Sequence, residues 1–441
     1  MIPASDLFDQ STMAALLEHD PVVQDYRAFF ALLDWSVVEH WQHQRSPRGR
    51  PAHPESAYLK AFVVRIREGL LYTSQLRRFL LQHPLLVIEL GFHLHLVPSA
   101  AYGFDVEQTL PCEQRLRQKL RTFDPTLLQD VLAATVAALQ EAIPGLGETI
   151  AFDVKHIYAW VRENNPRVYV TGPFNVHYIP KGDPDCRLGV KKSSNQEQPD
   201  GSTKVKKESL FGYGSGVAAC TDPVYGDVVL AEYTLPFNEA DVTYFRPLFR
   251  RAVVALHQLP TWIAADAAYD YWYVYETVAH GPGFAAIPLN THGHEAVPHD
   301  PDGTPRCSAG LRMHPTYRFQ HTNGFQAQRF RCPLLFPERT GASCGHDQFL
   351  KQKGCVKDSN WEKGGRMRVL LDRSGPLYTA VYNQRTACER INSQAQALGI
   401  ERPKVRNIHS VRHLNTLTYV VINVRVLAKA QSINRRLLQM N

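Results

Sequence analysis

Two short apolar runs that each stop on an aspartate constrain this chain more than any other feature. Residues 148–160, ETIAFDVKHIYAW, open with a strand-like run that ends at Asp153. Thr261–Asp266, TWIAAD, is a second such run, with its aspartate 113 positions after the first. A carboxylate at the end of a buried strand is costly unless it is paired or bound to a cation; a turn-capping role is the other reading. Between the two runs, Leu210–Cys220 and Asp227–Pro236 read as strands joined by the turn segment Asp222–Gly226, and Glu239–Leu259 reads as a helix. After the second run AAYDYWYVYETVAH continues as a helix, and Phe284–Pro288 reads as a fifth strand. Asn175–Ser209, with Lys191, Lys192, Lys204, Lys206 and Lys207, reads as a polar, mobile loop, open to DNA or simply solvated.

The order strand-Asp, strand, strand, helix, strand-Asp, helix, strand fits an α/β, ribonuclease H-like mixed sheet. In that fold the first and fourth strands are neighbours, so Asp153 and Asp266 are expected side by side. A third carboxylate is expected from Val381–Gln396, VYNQRTACERINSQAQ, which carries Tyr382, Arg385 and Glu389. If the chain is helical from Arg385 onward, Arg385 and Glu389 are four apart and share a face. That pair reads either as a surface ion pair or as a site where the carboxylate holds a metal while guanidinium and phenol hold a phosphate. Three clustered carboxylates repel one another and need cations. Two Mg²⁺ ions, roughly 3.5–4 Å apart, satisfy such a cluster and clamp the attacking and leaving oxygens of a phosphodiester. Asp270 rivals Asp266 as the second ligand; Asp266 is preferred because it ends the strand, whereas Asp270 is expected in the following helix.

The chain's 441 residues leave room for two or three domains. A hydrophobic share of 44% and a charged share of 21% are ordinary for a globular protein and exclude a disordered chain. A net charge of +7 and a pI near 8.9 are compatible with a nucleic-acid partner without requiring one. No apolar stretch is long enough to span a membrane. The start, MIPASDLFDQ, lacks the basic-then-apolar form of a signal peptide, and eight cysteines do not suggest a disulfide scaffold. A reduced, cytoplasmic protein is expected.

Residues 1–147 read as a helical front domain that binds DNA. His40–Pro54 is a basic, Pro-rich loop with Arg45, Arg48 and Arg50. Leu59, Phe62, Val63 and Ile66 mark one helix, with Gly69 as its stop. Thr73 or Ser74 caps a second helix through Leu76, Phe79 and Leu80, with Pro84 ending or interrupting it. With Arg77 and Arg78 on the second, the pair reads as a helix-turn-helix or as a plain αα-hairpin. Glu113–Thr122 is a polar, basic helix, and Leu127–Ala142 is an apolar helix that packs inward. Residues 148–290 are read as the first part of a ribonuclease H-like core and 376–441 as the second. Residues 291–375 are a basic insertion holding Cys307, Cys332, Cys344 and Cys355, with Arg329, Arg331, Lys351, Lys353 and Lys357. The four cysteines are open to a structural Zn²⁺ or to a role as unpaired core thiols, and their spacings of 25, 12 and 11 contain no CxxC pair. Glu401–Asn441 contains eight Lys/Arg and one acid, and is read as a helix against the core with its basic side outward.

AFDVKHIYAW, ADAAYD and YNQRTACERINSQ together resemble the three catalytic blocks of bacterial insertion-sequence transposases of the DDE group with a Tyr-x2-Arg-x3-Glu-x6-Lys signature. Tyr382, Arg385 and Glu389 match in type and spacing; Gln396 stands where the signature has Lys. The resemblance covers residues 50–430, including the LKAFVVRI…LRRFLLQHPLLVIELGF pattern of the front end. It implies Asp153, Asp266 and Glu389 as ligands of two Mg²⁺ or Mn²⁺ ions, and Tyr382 and Arg385 on DNA phosphate; the phosphate contact at Gln396 is the one its departure puts in doubt. It further implies cleavage at terminal inverted repeats and strand transfer into target DNA by a homo-oligomer, at least a dimer, associated with the bacterial nucleoid when bound to DNA. A catalytically inactive DNA-binding relative and a nuclease of the same fold are the alternatives.

Overall fold

The computed structural model describes residues 10–43, 52–165, 177–197, 203–291, 293 and 295–440. Arg45, Arg48 and Arg50 lie outside the described residues. The central sheet contains β1 (Thr149–Tyr158), β2 (Arg187–Glu197), β3 (Thr203–Asp222), β4 (Gly226–Pro236), β5 (Trp262–Ala264) and β6 (Ala285–Ala286). β3 runs antiparallel to β1 and to β4, while β5 runs parallel to β1 and β6 parallel to β5. The path β4-β3-β1-β5-β6, three antiparallel strands followed by two parallel ones, is the ribonuclease H-like order.

The segment read as a loop over Asn175–Ser209 differs from that expectation. β3 is 20 residues long and takes two partners in succession on the edge away from β1. Its first part pairs with β2, from Thr203↔Glu197 to Gly212↔Arg187, and its second part with β4, from Tyr213↔Pro236 onward. An antiparallel ribbon pairs strand to strand through backbone groups whatever its side chains, so no apolar alternation marks it, and the polar sequence hid it.

Helices cover both faces. α1 (Gln10–His19), α2 (Pro21–Phe30), α3 (Ser36–His43), α4 (Glu55–Arg67), α5 (Thr73–Gln82), α6 (Pro84–Leu90), α7 (Glu113–Thr122) and α8 (Pro125–Ala142) make up the front end. Pro84 does not merely interrupt: it occupies the first turn of α6, where its missing N–H has no helical partner to lose. Gly69 takes φ +63° after α4, and buried Arg65 donates to the carbonyls of Leu70 (3.0 Å) and Leu71 (2.6 Å), which closes the α4–α5 turn. The helix expected over Glu239–Leu259 is a 3-10 turn, Asp241–Tyr244, followed by α9 (Phe245–Leu256). α10 is Trp272–Val278, α11 Lys363–Leu370, α12 Pro376–Asn383, α13 Thr386–Ala397 and α14 Ile408–Met440. The insertion carries its own sheet of β7 (His314–Gln320), β8 (Gln326–Arg331) and β9 (Val356–Asn360).

The C-terminal segment is the expected helix against the core, with Arg425 and Lys429 exposed, but its first half is buried more deeply than a helix with one outward side: His413, Asn415, Thr416, Tyr419, Val420, Val421, Ile422, Asn423 and Val424 are all fully buried. It packs against α4, α7, α8 and β4 at once, so it has no solvent face there. The polar positions have partners. Asn423 exchanges two hydrogen bonds with the backbone of Val229 (2.9 and 2.8 Å) and donates to Thr135 (2.8 Å). His413 Nδ1 meets the Leu120 carbonyl at 2.6 Å, and burial pushes its pKa down to about 4.

Candidate active site

The parallel β1–β5 ladder sets the site. Ala151 pairs with Ala264, and each strand reaches its aspartate two residues later. Side chains alternate along a strand, so Asp153 and Asp266 leave the two neighbouring strands abreast. Asp266 also caps the 3-10 turn Ala267–Tyr269, its Oδ1 accepting from the Ala268 N–H at 2.9 Å. The capping reading and the ligand reading therefore coexist, because a carboxylate has lone pairs left after one such bond.

Helix α13 closes over β1. Its apolar face, Cys388, Ile391 and Ala395, joins Ala151 and Ile157 in one core. Asn392 Nδ2 donates to Asp153 Oδ2 at 2.9 Å, and the buried Asn392 Oδ1 has no partner of its own. Arg385 stands at the N-cap of α13 and its guanidinium meets Glu389 at 2.7 Å; the Glu389 side chain is 53% exposed. Tyr382 lies on the preceding α12, stacked on Tyr378 at 5.9 Å, with Arg385 5.7 Å from its ring centre. The i,i+4 pair expected from the spacing is present, and it leans on the β1 aspartate's field. Burial raises the Asp153 carboxyl to about 6; the neighbouring Val154 N–H opposes this, the Asp266 charge adds to it, Arg385 opposes it and Glu389 adds to it.

Asp241, in the turn before α9, belongs to the same field and was missed in the sequence. Burial and then the charges of Asp266 and Asp153 raise it to about 7. Its signal was masked by the expected long helix over Glu239–Leu259. A second omission is Lys155, two residues past Asp153 on the same side of β1. Its Nζ donates to Gln396 Oε1 at 3.1 Å and to Glu401 at 3.2 Å, so a cation from the strand stands at the position where the signature has Lys on the helix.

Asp270, the rival ligand, is not in the expected helix. It follows the 3-10 turn, and both its oxygens are taken: Tyr275 OH at 2.7 Å, the Asn290 N–H at 2.7 Å, and the Arg368 guanidinium at 2.8 and 2.6 Å. Arg77 and Arg78 sit apart from this group on α5, Arg77 held by Glu107 and Arg78 exposed. Arg329 in the insertion is matched by Asp358 at 2.8 Å, leaving Lys351, Lys353 and Lys357 as the exposed cations of those named there. Among the described residues no three His, Cys, Asp or Glu side chains already stand close enough to hold a metal ion, and Glu389 is turned to Arg385. Among the described residues no helix is long and apolar enough to cross a membrane.

The raised Asp153 value has a testable sign. The folded chain holds that proton more tightly than the unfolded one, so the associated stability is present at low pH and is lost as pH rises through about 6. Buried His413, depressed to about 4, acts oppositely and gains as pH rises toward its unfolded value. The difference between Asp153→Asn and the parent isolates the first effect. In metal-free buffer the variant is expected to match the parent near pH 4 and to melt higher than it near pH 8; equal melting temperatures at both would refute the buried charge.

No known protein family matches the sequence, and no curated protein does. Among solved structures, a piggyBac transposase synaptic complex with hairpin DNA superposes with a TM-score of 0.34 at 10% identity, over 91% of this chain and 72% of that one. A superposition that loose carries no weight, so the fold class rests on the strand order and register.

Proposed function

We propose that this protein is a DNA transposase of the DDE type, cutting phosphodiester bonds at element ends and joining them to target DNA. The observation that carries the reading is the in-register pairing of β1 with β5, which delivers Asp153 and Asp266 together beneath the helix that bears Glu389. Three carboxylates are hard oxygen donors that suit Mg²⁺ or Mn²⁺. The partnerless Asn392 Oδ1, buried beside Asp153, fits a site built to receive a further donor or cation. Asp153, Asp266 and Glu389 would hold the metal, with Asp241 next to them. Bound there, the metal supplies Lewis-acid stabilisation of charge on the phosphoryl and leaving oxygens.

The chain's own residues orient the DNA. Arg385 presents a planar guanidinium that can grip a phosphate bidentately once Glu389 turns to the aspartates, and the phenol of Tyr382 flanks it. Lys155, held by Gln396 and Glu401, supplies the further cation that Gln396 itself lacks. Arg117, Arg121, Lys404 and Arg406 line a groove between α7 and the approach to α14 that can track a DNA backbone. Each site has one catalytic set, so cutting two ends calls for at least two copies.

Incubating the full chain with DNA carrying the ends of its own element and Mg²⁺ is expected to give nicks at the termini, and none with EDTA. Cleavage without preference for those ends would identify a nuclease. Binding without cleavage would identify a DNA-binding relative. Glu389→Gln is expected to bind ends as the parent does while failing to cut. Its binding constant should fall steeply with salt, because Lys and Arg contacts release counterions; a flat response would remove the basic groove from the reading.

A further inference from the structure

The insertion rests on a very small core. The buried members of its apolar cluster are Cys307, Met313, Phe330, Cys332 and Cys355, three cysteines in five, with Leu334, Leu335, Phe349 and Trp361 partly buried around them. A unit this thin gains little from apolar burial and needs another constraint. The cysteines come from four separate segments that the fold gathers at one end of the β7–β8–β9 sheet. Arg331 pairs with Val356 at the end of the β8–β9 ladder; Cys332 follows the first and Cys355 precedes the second, so the two face each other across it. The approach is close enough to demand glycine at 354: a Cβ there would come within 2.6 Å of Cys332 Cβ, and Gly354 takes φ +68°. His314 pairs with Arg331 on the other edge of β8, which sets Met313 beside Cys332. Cys307 is brought in by the tight turn 307–311, where the Gly310 N–H bonds the Cys307 carbonyl at 2.8 Å. Cys344 lies in the loop that leads to His346, whose Nδ1 is 3.6 Å from Cys355 Sγ. None of these sulfurs is in a disulfide.

We propose that Cys307, Cys332, Cys344 and Cys355 bind one structural zinc ion as a four-thiolate site that staples the insertion. Four sulfur donors suit Zn²⁺ better than any hard cation, and a four-thiolate set fills every ligand position from the protein, as in structural sites. Electrostatics support the convergence: burial raises the Cys355 thiol above its ordinary value, and the sulfurs of Cys332, Cys307 and Cys344 each add to the shift. The thiols are gathered but not yet closed to ligand distance. Binding turns them inward by side-chain rotation and releases their protons. His346 is left outside the ligand set because its Nδ1 is already engaged, accepting from the Gln348 N–H at 3.3 Å.

The test needs neither DNA nor Mg²⁺, so it stands or falls apart from the transposase reading. Full-length protein grown with zinc is expected to carry about one zinc ion per chain by elemental analysis. Cys332→Ser and Cys344→Ser are each expected to lower that content at least about fivefold, while His346→Gln and Cys112→Ser, which alters an exposed cysteine elsewhere, keep it. Should the serine variants fail to fold, the parent still decides. Metal-stripped parent given Co²⁺ is expected to show a sulfur-to-cobalt charge-transfer band, with the four thiols protected from a thiol reagent until the metal is removed. Zinc-free parent with all four thiols reactive, cysteine variants that keep zinc, or loss of zinc in His346→Gln would each overturn the four-thiolate site.

Discussion

Asp153→Asn and Asp266→Asn are each expected to lower Mg²⁺-dependent cleavage of element ends by about 10³-fold or more while leaving the fold and end binding intact. Metal-borne charge stabilisation is worth several kcal/mol, and each 1.4 kcal/mol or so is a factor of ten in rate. The substitutions are nearly isosteric. Asn at 153 still offers an oxygen to Asn392 Nδ2, and Asn at 266 still offers one to the Ala268 N–H, so the local hydrogen bonds survive. What disappears is the negative charge, which is the property a metal needs. Asp270→Asn provides the contrast: its target is already saturated by Arg368, Tyr275 and Asn290, so any loss of activity there should track loss of folded protein. Single-turnover cleavage on an end-containing duplex separates the cases. An Asp266→Asn protein that cuts within about tenfold of the parent would remove Asp266 from the metal set and reopen the choice of second ligand.

The sheet was legible because its code is local. A short apolar run reads as a strand wherever it lies, and five of them in the right order, two ending in aspartate, leave few topologies. The abreast placement of Asp153 and Asp266 followed from that order, and the register Ala151↔Ala264 is its geometric form. The β2–β3 ribbon was hidden because the sequence from Lys191 to Glu208 is almost wholly polar, so no period-2 pattern marks it. The depth at which α14 is buried was hidden for the converse reason. His413, Asn415, Thr416 and Asn423 look like surface positions, and only their long-range partners, Leu120, Thr234, Glu232 and Val229, make burial affordable. Lys155 and Asp241 join the site through space alone, one from mid-strand and one from a turn, with no spacing to announce them.

Arg368→Ala is expected to destabilise the protein by about 3–5 kcal/mol, the cost of breaking a buried ion pair from one side. Asp270 is almost wholly inaccessible, its side chain 1% exposed, and Arg368 is the cation that answers its charge, through two bonds of 2.8 and 2.6 Å. Removing the guanidinium leaves a carboxylate stranded behind β5, with only Tyr275 and the Asn290 N–H to hold it. The pair also joins distant parts of the chain: Asp270 follows the Asp266 turn, whereas Arg368 lies on α11 at the far end of the insertion. α11 presses close on α10, where a Cβ at Gly364 would fall 2.3 Å from the Trp272 carbonyl. Loss of Arg368 should therefore loosen the insertion against the turn that positions Asp266, lowering cleavage as well as stability. The exposed Arg385–Glu389 pair supplies the control, since breaking it should change stability by less than about 1 kcal/mol. Denaturant titration of Arg368→Ala, Arg385→Ala and the parent measures both. If the Arg368 variant unfolds within about 1 kcal/mol of the parent, the ion pair does not anchor the insertion, and Asp270 regains its claim as a ligand whose charge is held some other way.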